Sequence, residues 1–148
     1  MSPFHVQVDT SERKNFDWMK AVSRWSDENG PIILEELKRE TPVGKGTGAG
    51  RLRDSLFYTR YITSQSAQLQ FKSRVPYLQY VIHGTQPHTI FPVATRALHW
   101  QSGGTDYFSK VVHSPGTKPN DFPDRTWNRL RERMVRSFKE SVRVELEE

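Results

Sequence analysis

The 148-residue chain has no cysteine, which removes disulfide staples and thiolate metal sites and suits a reducing compartment. No apolar run in it approaches the ~18 residues that a membrane helix needs. Carboxylates are scarce where chemistry would need them: between residues 55 and 120 the one acid is Asp106. A general acid–base pair or a two-metal nuclease centre needs more oxygens than that. The chain also contains no Gly-x-Ser-x-Gly elbow and no His-Glu-x-x-His. These absences argue for a chain that is not an enzyme and holds no cofactor. The opening segment, "MSPFHVQVDTSERK", lacks the basic-then-apolar profile of a secretory signal. The expectation is a soluble protein made in a cytoplasm, with no membrane partner.

What is present supports a folded chain. The hydrophobic fraction is 34% and the mean hydropathy −0.74, but eight Phe, five Tyr and four Trp supply bulky core material. Disorder would need fewer aromatics. The length suits one domain over residues 1–148. A net charge of +5 permits attraction to a polyanion, but solubility explains it equally well until the charge proves clustered.

Patterning along the chain predicts an α+β fold. "FHVQV" (4–8) alternates as a short strand, and Asp9 with Glu12 forms a capping-box pattern. Phe16, Met19, Val22 and Trp18 or Trp25 then recur at helical spacing, and Ile33, Leu34 and Leu37 do so beyond "ENGP" (28–31). This predicts one broken helix or two consecutive ones. Gly44, Gly46, Gly48 and Gly50 make a loop after Pro42. Strands are expected over 54–63 and 67–74, joined by Ser-Gln-Ser, with Leu69 and Phe71 half-buried. In "VPYLQYVIHG" a short helix would group Tyr77, Tyr80 and Val81, while 95–101 and 106–113 form a hairpin about Gly103-Gly104. Finally Trp127, Leu130, Met134, Phe138, Val142 and Leu146 mark an amphipathic helix of roughly five turns, with Pro123 in its first turn. The order implies an antiparallel β-sheet with an N-terminal helix or broken helix and a long C-terminal amphipathic helix packed on it.

The polar residues offer several sites to weigh. Five histidines (His5, His83, His88, His99, His113) could be grouped around a metal, yet spacing alone is weak evidence and no acid neighbours His83 or His88. The plainer expectation has His83 and His113 ending strands and donating to carbonyls. "GKGTGAGR" (44–51) lacks the Ser/Thr of a phosphate-binding loop and follows a helix rather than a strand. Arg129, Arg133, Arg136 and Lys139 or Glu140 run along one side of the last helix. That is a solvated or partner-facing surface by default and a nucleic-acid stripe in the alternative.

Three phrases, in order, resemble a known family. "TPVGKGTGAGRLRDSL" (41–56), "VPYLQYVIHGTQPHTIFP" (75–92) and "ALHW…YFSKVVHSPGTKPNDFPDRTW" (97–127) are similar to segments of the tail-completion, or neck, proteins of long-tailed bacteriophages. The likeness runs from about residue 15 to the C-terminus. The glycine loop is longer than the family's usual form, His83 stands where an acid is common, and Ser114 is inserted into the turn "HSPGT" (113–117).

The resemblance implies a non-enzymatic virion component at the head–tail junction or proximal tail. Its partners would be copies of itself in a ring, commonly a hexamer, together with other neck, connector or tail-terminator proteins, and DNA passing through the lumen as a further contact. Loops 43–53 and 83–92 are then expected to dock on neighbours. Arg51, Arg53, Lys118 and Arg125 would make polar contacts, Tyr77 and Tyr80 would be aromatic anchors, and His83 and His88 would lie at the same interfaces. The alternatives are a small basic nucleic-acid-binding protein or nuclease subunit, and a metal-dependent hydrolase using His83, His88 and His113.

Overall fold

The computed structural model describes residues 16–45, 48–64 and 66–147. The strand expected at 4–8 and the Asp9–Glu12 capping box lie outside them. The chain folds as a mixed α+β protein that divides into two compact units, one from residues up to Pro76 together with Asp121 onward, the other Tyr77–Asn120.

In the first unit, helix α1 spans Trp18–Glu40. Asp17 caps it by accepting a hydrogen bond from the Lys20 amide at 3.1 Å. At the far end the Thr41 amide and hydroxyl both donate to the Leu37 carbonyl. Pro42 disfavours helical geometry for the residue before it, and Thr41 is extended. The break expected at "ENGP" does not occur: Pro31 lies inside a continuous helix. An interior proline forfeits one ladder bond and costs ~3 kcal/mol. Here its ring is exposed, and Ile33 and Leu37 carry on the buried stripe of Ala21, Val22 and Trp25, so packing along one face outweighs the lost bond. Gly30 is buried, with the Tyr58 ring packed so close that a Cβ there would lie 2.8 Å from it.

Helix α4, Phe122–Glu147, runs 26 residues, longer than the pattern suggested. Its buried stripe of Phe122, Thr126, Leu130, Met134, Phe138 and Val142 packs on α1. Trp127, the first residue of the expected apolar stripe, is only half-buried. The helices run antiparallel. The Phe138 ring meets Trp18 and Trp25 edge-on, at centroid distances of 5.9 and 5.7 Å, and the Ser141 hydroxyl donates to the Ala21 carbonyl at 2.9 Å. Buried Glu145 lies 3.2 Å from Lys20 and 3.6 Å from Arg24. At the opposite end Arg129 pairs with Glu36 at 2.7 Å and Glu40 at 3.1 Å.

The glycine loop leads into a five-residue helix, α2 (Arg51–Ser55), so the strand expected from 54 begins two residues later. Strands β1 (Leu56–Ile62) and β2 (Ala67–Ser73) pair antiparallel, with Tyr58 opposite Phe71 and their rings 5.7 Å apart. Leu69 and Phe71 are half-buried, as the alternation implied.

The second unit holds helix α3 (Leu78–His83) and strands β3 (His88–Ile90), β4 (Leu98–Ser102), β5 (Thr105–Ser109) and β6 (Val112–Ser114). β4 and β5 form the expected hairpin, turning through Gly103 and Gly104 at φ 59° and 82°. A two-residue hairpin turn requires such positive φ angles. The strand expected over 106–113 is two strands, because β6 leaves β5 and pairs with β3 instead. Among the described residues the strands therefore pair in three separate two-stranded ladders. Among the described residues no helix is long and apolar enough to cross a membrane.

Candidate interaction surface

The two similar phrases of the sequence, "HGT" at 83–85 and "HSPGT" at 113–117, meet in space. Thr85 and Thr117 exchange backbone hydrogen bonds at 3.0 and 3.1 Å, and their hydroxyls lie 3.2 Å apart. Gly84 and Gly116 precede them at φ +72° and +79°. A Cβ on Gly84 would fall 2.3 Å from the Thr117 carbonyl oxygen, and one on Gly116 would fall 2.1 Å from that of Thr85. Each glycine thus makes room for the other corner's backbone, which only glycine can do in that conformation.

The same register continues into β3 and β6, where His88 faces Ser114 and Thr89 faces His113. Between bridge and strands it sets Pro87 opposite Pro115. Neither proline has an N–H to give, so the ladder lapses there and resumes beyond. The Asn120 amide closes the unit by donating to the carbonyls of Val81 and Ile82.

This geometry places the histidines. His83 ends a helix, not a strand, and His113 lies mid-strand rather than at a strand end. His113 Nδ1 is 3.1 Å from the Thr89 hydroxyl, and His88 Nδ1 donates to the Gln86 carbonyl at 2.9 Å. All three are exposed. Among the described residues no three His, Cys, Asp or Glu side chains gather as a metal site would require.

The residues expected to make contacts divide between the units. Arg51 and Arg53 lie exposed on α2, where Arg53 pairs with Asp54 at 3.1 Å. Arg125, on α4, pairs with Asp121 and lies 4.0 Å from Glu40, so partners within its own chain engage it. In the second unit Tyr77, Tyr80, His83, His88 and Lys118 are all exposed. Tyr80 and His88 are brought together on one open groove, floored by Gly84, Thr85, Gln86 and Pro87.

The second unit has a property that the residue-by-residue reading missed: none of its residues is buried. Its bulky side chains lie at the surface instead. Ile90, Phe91 and Val93 are exposed in succession after the paired corners. On the hairpin, Trp100 stacks on Tyr107 at 5.7 Å and His99 on Phe108 at 4.6 Å. Each pair is directly opposed across the strands. Adjacent residues of a strand point to opposite faces, so one aromatic stack lies on each side of the ribbon. A face-by-face signal for this was present in the sequence: consecutive aromatic-ring residues, His99-Trp100 and Tyr107-Phe108, leave neither parity of the strand polar. His99 also donates through Nε2 to Asp106 at 2.8 Å. That bond first, and one from Gln101 second, hold the Asp106 carboxyl below its ordinary pKa.

Compared with known protein families, with curated proteins and with solved structures, the chain matches none.

Proposed function

We propose that the protein is a structural assembly component that works by binding copies of itself and other proteins, and specifically a neck or tail-completion protein at a phage head–tail junction. The observation that carries the assembly reading is the coreless second unit. A 44-residue stretch, Tyr77 to Asn120, keeps glycine-locked corners and ordered ladders while leaving its aromatics in water. Isolated two-stranded hairpins are marginal in water, and exposed apolar clusters mark surfaces that meet a partner. The placement at a phage neck rests on the three phrases at 41–56, 75–92 and 97–127. In that role the groove of Tyr80 and His88, with Lys118, contacts the neighbouring ring. Negative-stain imaging of the purified protein, alone and mixed with tail tubes or capsids, tests the reading. Rings that decorate one tail end or the portal vertex are expected. A strict monomer that binds DNA and ignores both particles would overturn it.

A nucleic-acid-binding role is the second reading, favoured by one feature of α4. Arg133, Arg136 and Lys139 are exposed at successive three-residue steps and hold no partner among the described residues. Three phosphate contacts would give a slope of log K against log salt of about −2.7 on duplex DNA. Fluorescence anisotropy across a salt series measures it, and a flat response removes this reading.

A further inference from the structure

We propose that Asn29–Gly30 is a spontaneous deamidation site that the packing of α1 holds shut, so that the chain is altered there only after α1 opens. The lability is written in "ENGP" (28–31), where Asn29 is the one asparagine that a glycine follows. Glycine has no Cβ to shield its nitrogen, and its backbone freedom lets that nitrogen swing onto the asparagine side chain. In the reaction the Gly30 backbone nitrogen attacks Asn29 Cγ and gives up its proton to solvent. The new N–Cγ bond closes a succinimide ring, and the Cγ–Nδ2 bond breaks as ammonia leaves with a proton from water. Water then opens the ring at one carbonyl or the other. The product is aspartate or, with the main chain rerouted through Cγ, isoaspartate. Water is the only co-reactant.

Three features of the fold oppose that step. Both residues lie inside the continuous helix α1, where an interior N–H is engaged by the carbonyl four residues back. The Asn29 side chain is turned back along the helix: its Nδ2 donates to the Trp25 carbonyl at 3.0 Å, which draws Cγ away from the nitrogen that follows it. Asn29 is 4% exposed and Gly30 is buried. Neither the base that takes the proton nor the water that opens the ring has access.

The same packing explains why so labile a pair stands there. A Cβ at position 30 would lie 2.8 Å from the Tyr58 ring, so the contact of α1 with β1 demands glycine. A polar side chain buried at 29 must find a partner, and asparagine finds one on its own helix. Pro31 fixes where the lock is weakest. It has no N–H to give, so the ladder lacks a bond one residue past the site.

Conversion is one-way in its effect. Aspartate at position 29 would set a carboxylate oxygen against the Trp25 carbonyl, acceptor on acceptor, where almost no water reaches. Isoaspartate adds an atom to the backbone and throws the helix ladder out of step. A chain that opens long enough to react therefore returns to a damaged α1.

The test compares the full chain folded in buffer with the same chain in concentrated guanidinium chloride, at one mildly alkaline pH and one temperature. Peptide mass spectrometry follows amide-to-acid conversion at each asparagine, and isoaspartyl methyltransferase labelling counts the rearranged product. In denaturant, Asn29 is expected to convert ahead of Asn15, Asn120 and Asn128 and to give both products. In the folded chain its conversion is expected to be slower by at least about 100-fold, the factor being set by the fraction of time that α1 is open. Tyr58→Ser, which takes the ring off Gly30, is expected to speed the reaction in buffer and leave the rate in denaturant unchanged. Should that variant fail to fold, the unmodified sequence across a denaturant series decides, because its rate must climb as helical circular dichroism is lost. Equal rates at Asn29 in buffer and in denaturant would overturn the inference. So would a denatured rate no faster than at the other asparagines, a rate that stays flat while the helix melts, or a folded Tyr58→Ser that reacts no faster.

Discussion

Single residues decide the geometry of the paired corners. Gly84 and Gly116 each face a carbonyl oxygen closer than any Cβ could tolerate, at a backbone angle that L residues avoid. Two penalties therefore add, ~1–2 kcal/mol for the left-handed conformation and ~1–3 kcal/mol for overpacking against backbone. Gly84→Ala or Gly116→Ala is expected to open the corner, read as faster hydrogen exchange at the Thr85 and Thr117 amides with α1 and α4 unchanged. Gly44, a loop glycine whose Cβ would meet nothing, should accept alanine without effect. Asp106 makes a pH prediction at the same scale. Its pKa is depressed in the folded chain, so its contact with His99 is fully made above the ordinary carboxylate value of ~3.9. That contribution is lost as pH falls through the lower folded value. Carboxyl NMR should show Asp106 titrating below the ordinary carboxylate value of ~3.9. An Asp106 midpoint at or above ~3.9 contradicts the assignment.

At the scale of elements, the α1–α4 pair holds the first unit, and apolar packing outweighs its ion pairs. Phe138 is 5% exposed and bears on two tryptophans, so Phe138→Ala is expected to cost about 3–5 kcal/mol. Arg129 makes the best exposed pairs, with Glu36 and Glu40, yet its side chain remains 47% exposed. Arg129→Ala should therefore cost less than about 1 kcal/mol. Urea unfolding of both variants measures the ratio, and comparable losses would show that the ion network dominates. Glu145 lies between: it is buried but faces the half-exposed Lys20. The α4 stripe was legible in the sequence because a helix writes its buried face at a period of three to four residues. The continuity of α1 through Pro31 was not, since a local breaker yields only when packing on both sides holds the axis. Nor was the β3–β6 pairing. Two three-residue strands 22 residues apart, from Ile90 to Val112, carry no local mark of their partner.

For the whole molecule, one unit has a core and the other has none. The second unit's amides are expected to exchange quickly in dilute protein and, if copies associate as proposed, to slow as concentration rises. Hydrogen exchange at Trp100–Gln101 against protein concentration checks this, and concentration-independent protection would show that the unit is stable alone. Composition, helix period and turn glycines by themselves determined the α+β class, the long last helix, the Gly103-Gly104 hairpin and the glycine-dependent corners. These are local properties, set by backbone sterics and by spacing along one element. Tertiary structure alone decided that the two corners lock onto each other, that His83, His88 and His113 are exposed, and that Tyr77 and Tyr80 join Trp100 and Phe108 at the surface. The reason is that burial is a property of pairs of elements. A tyrosine reads the same in a sequence whether its neighbour in space is a core, water or the next subunit.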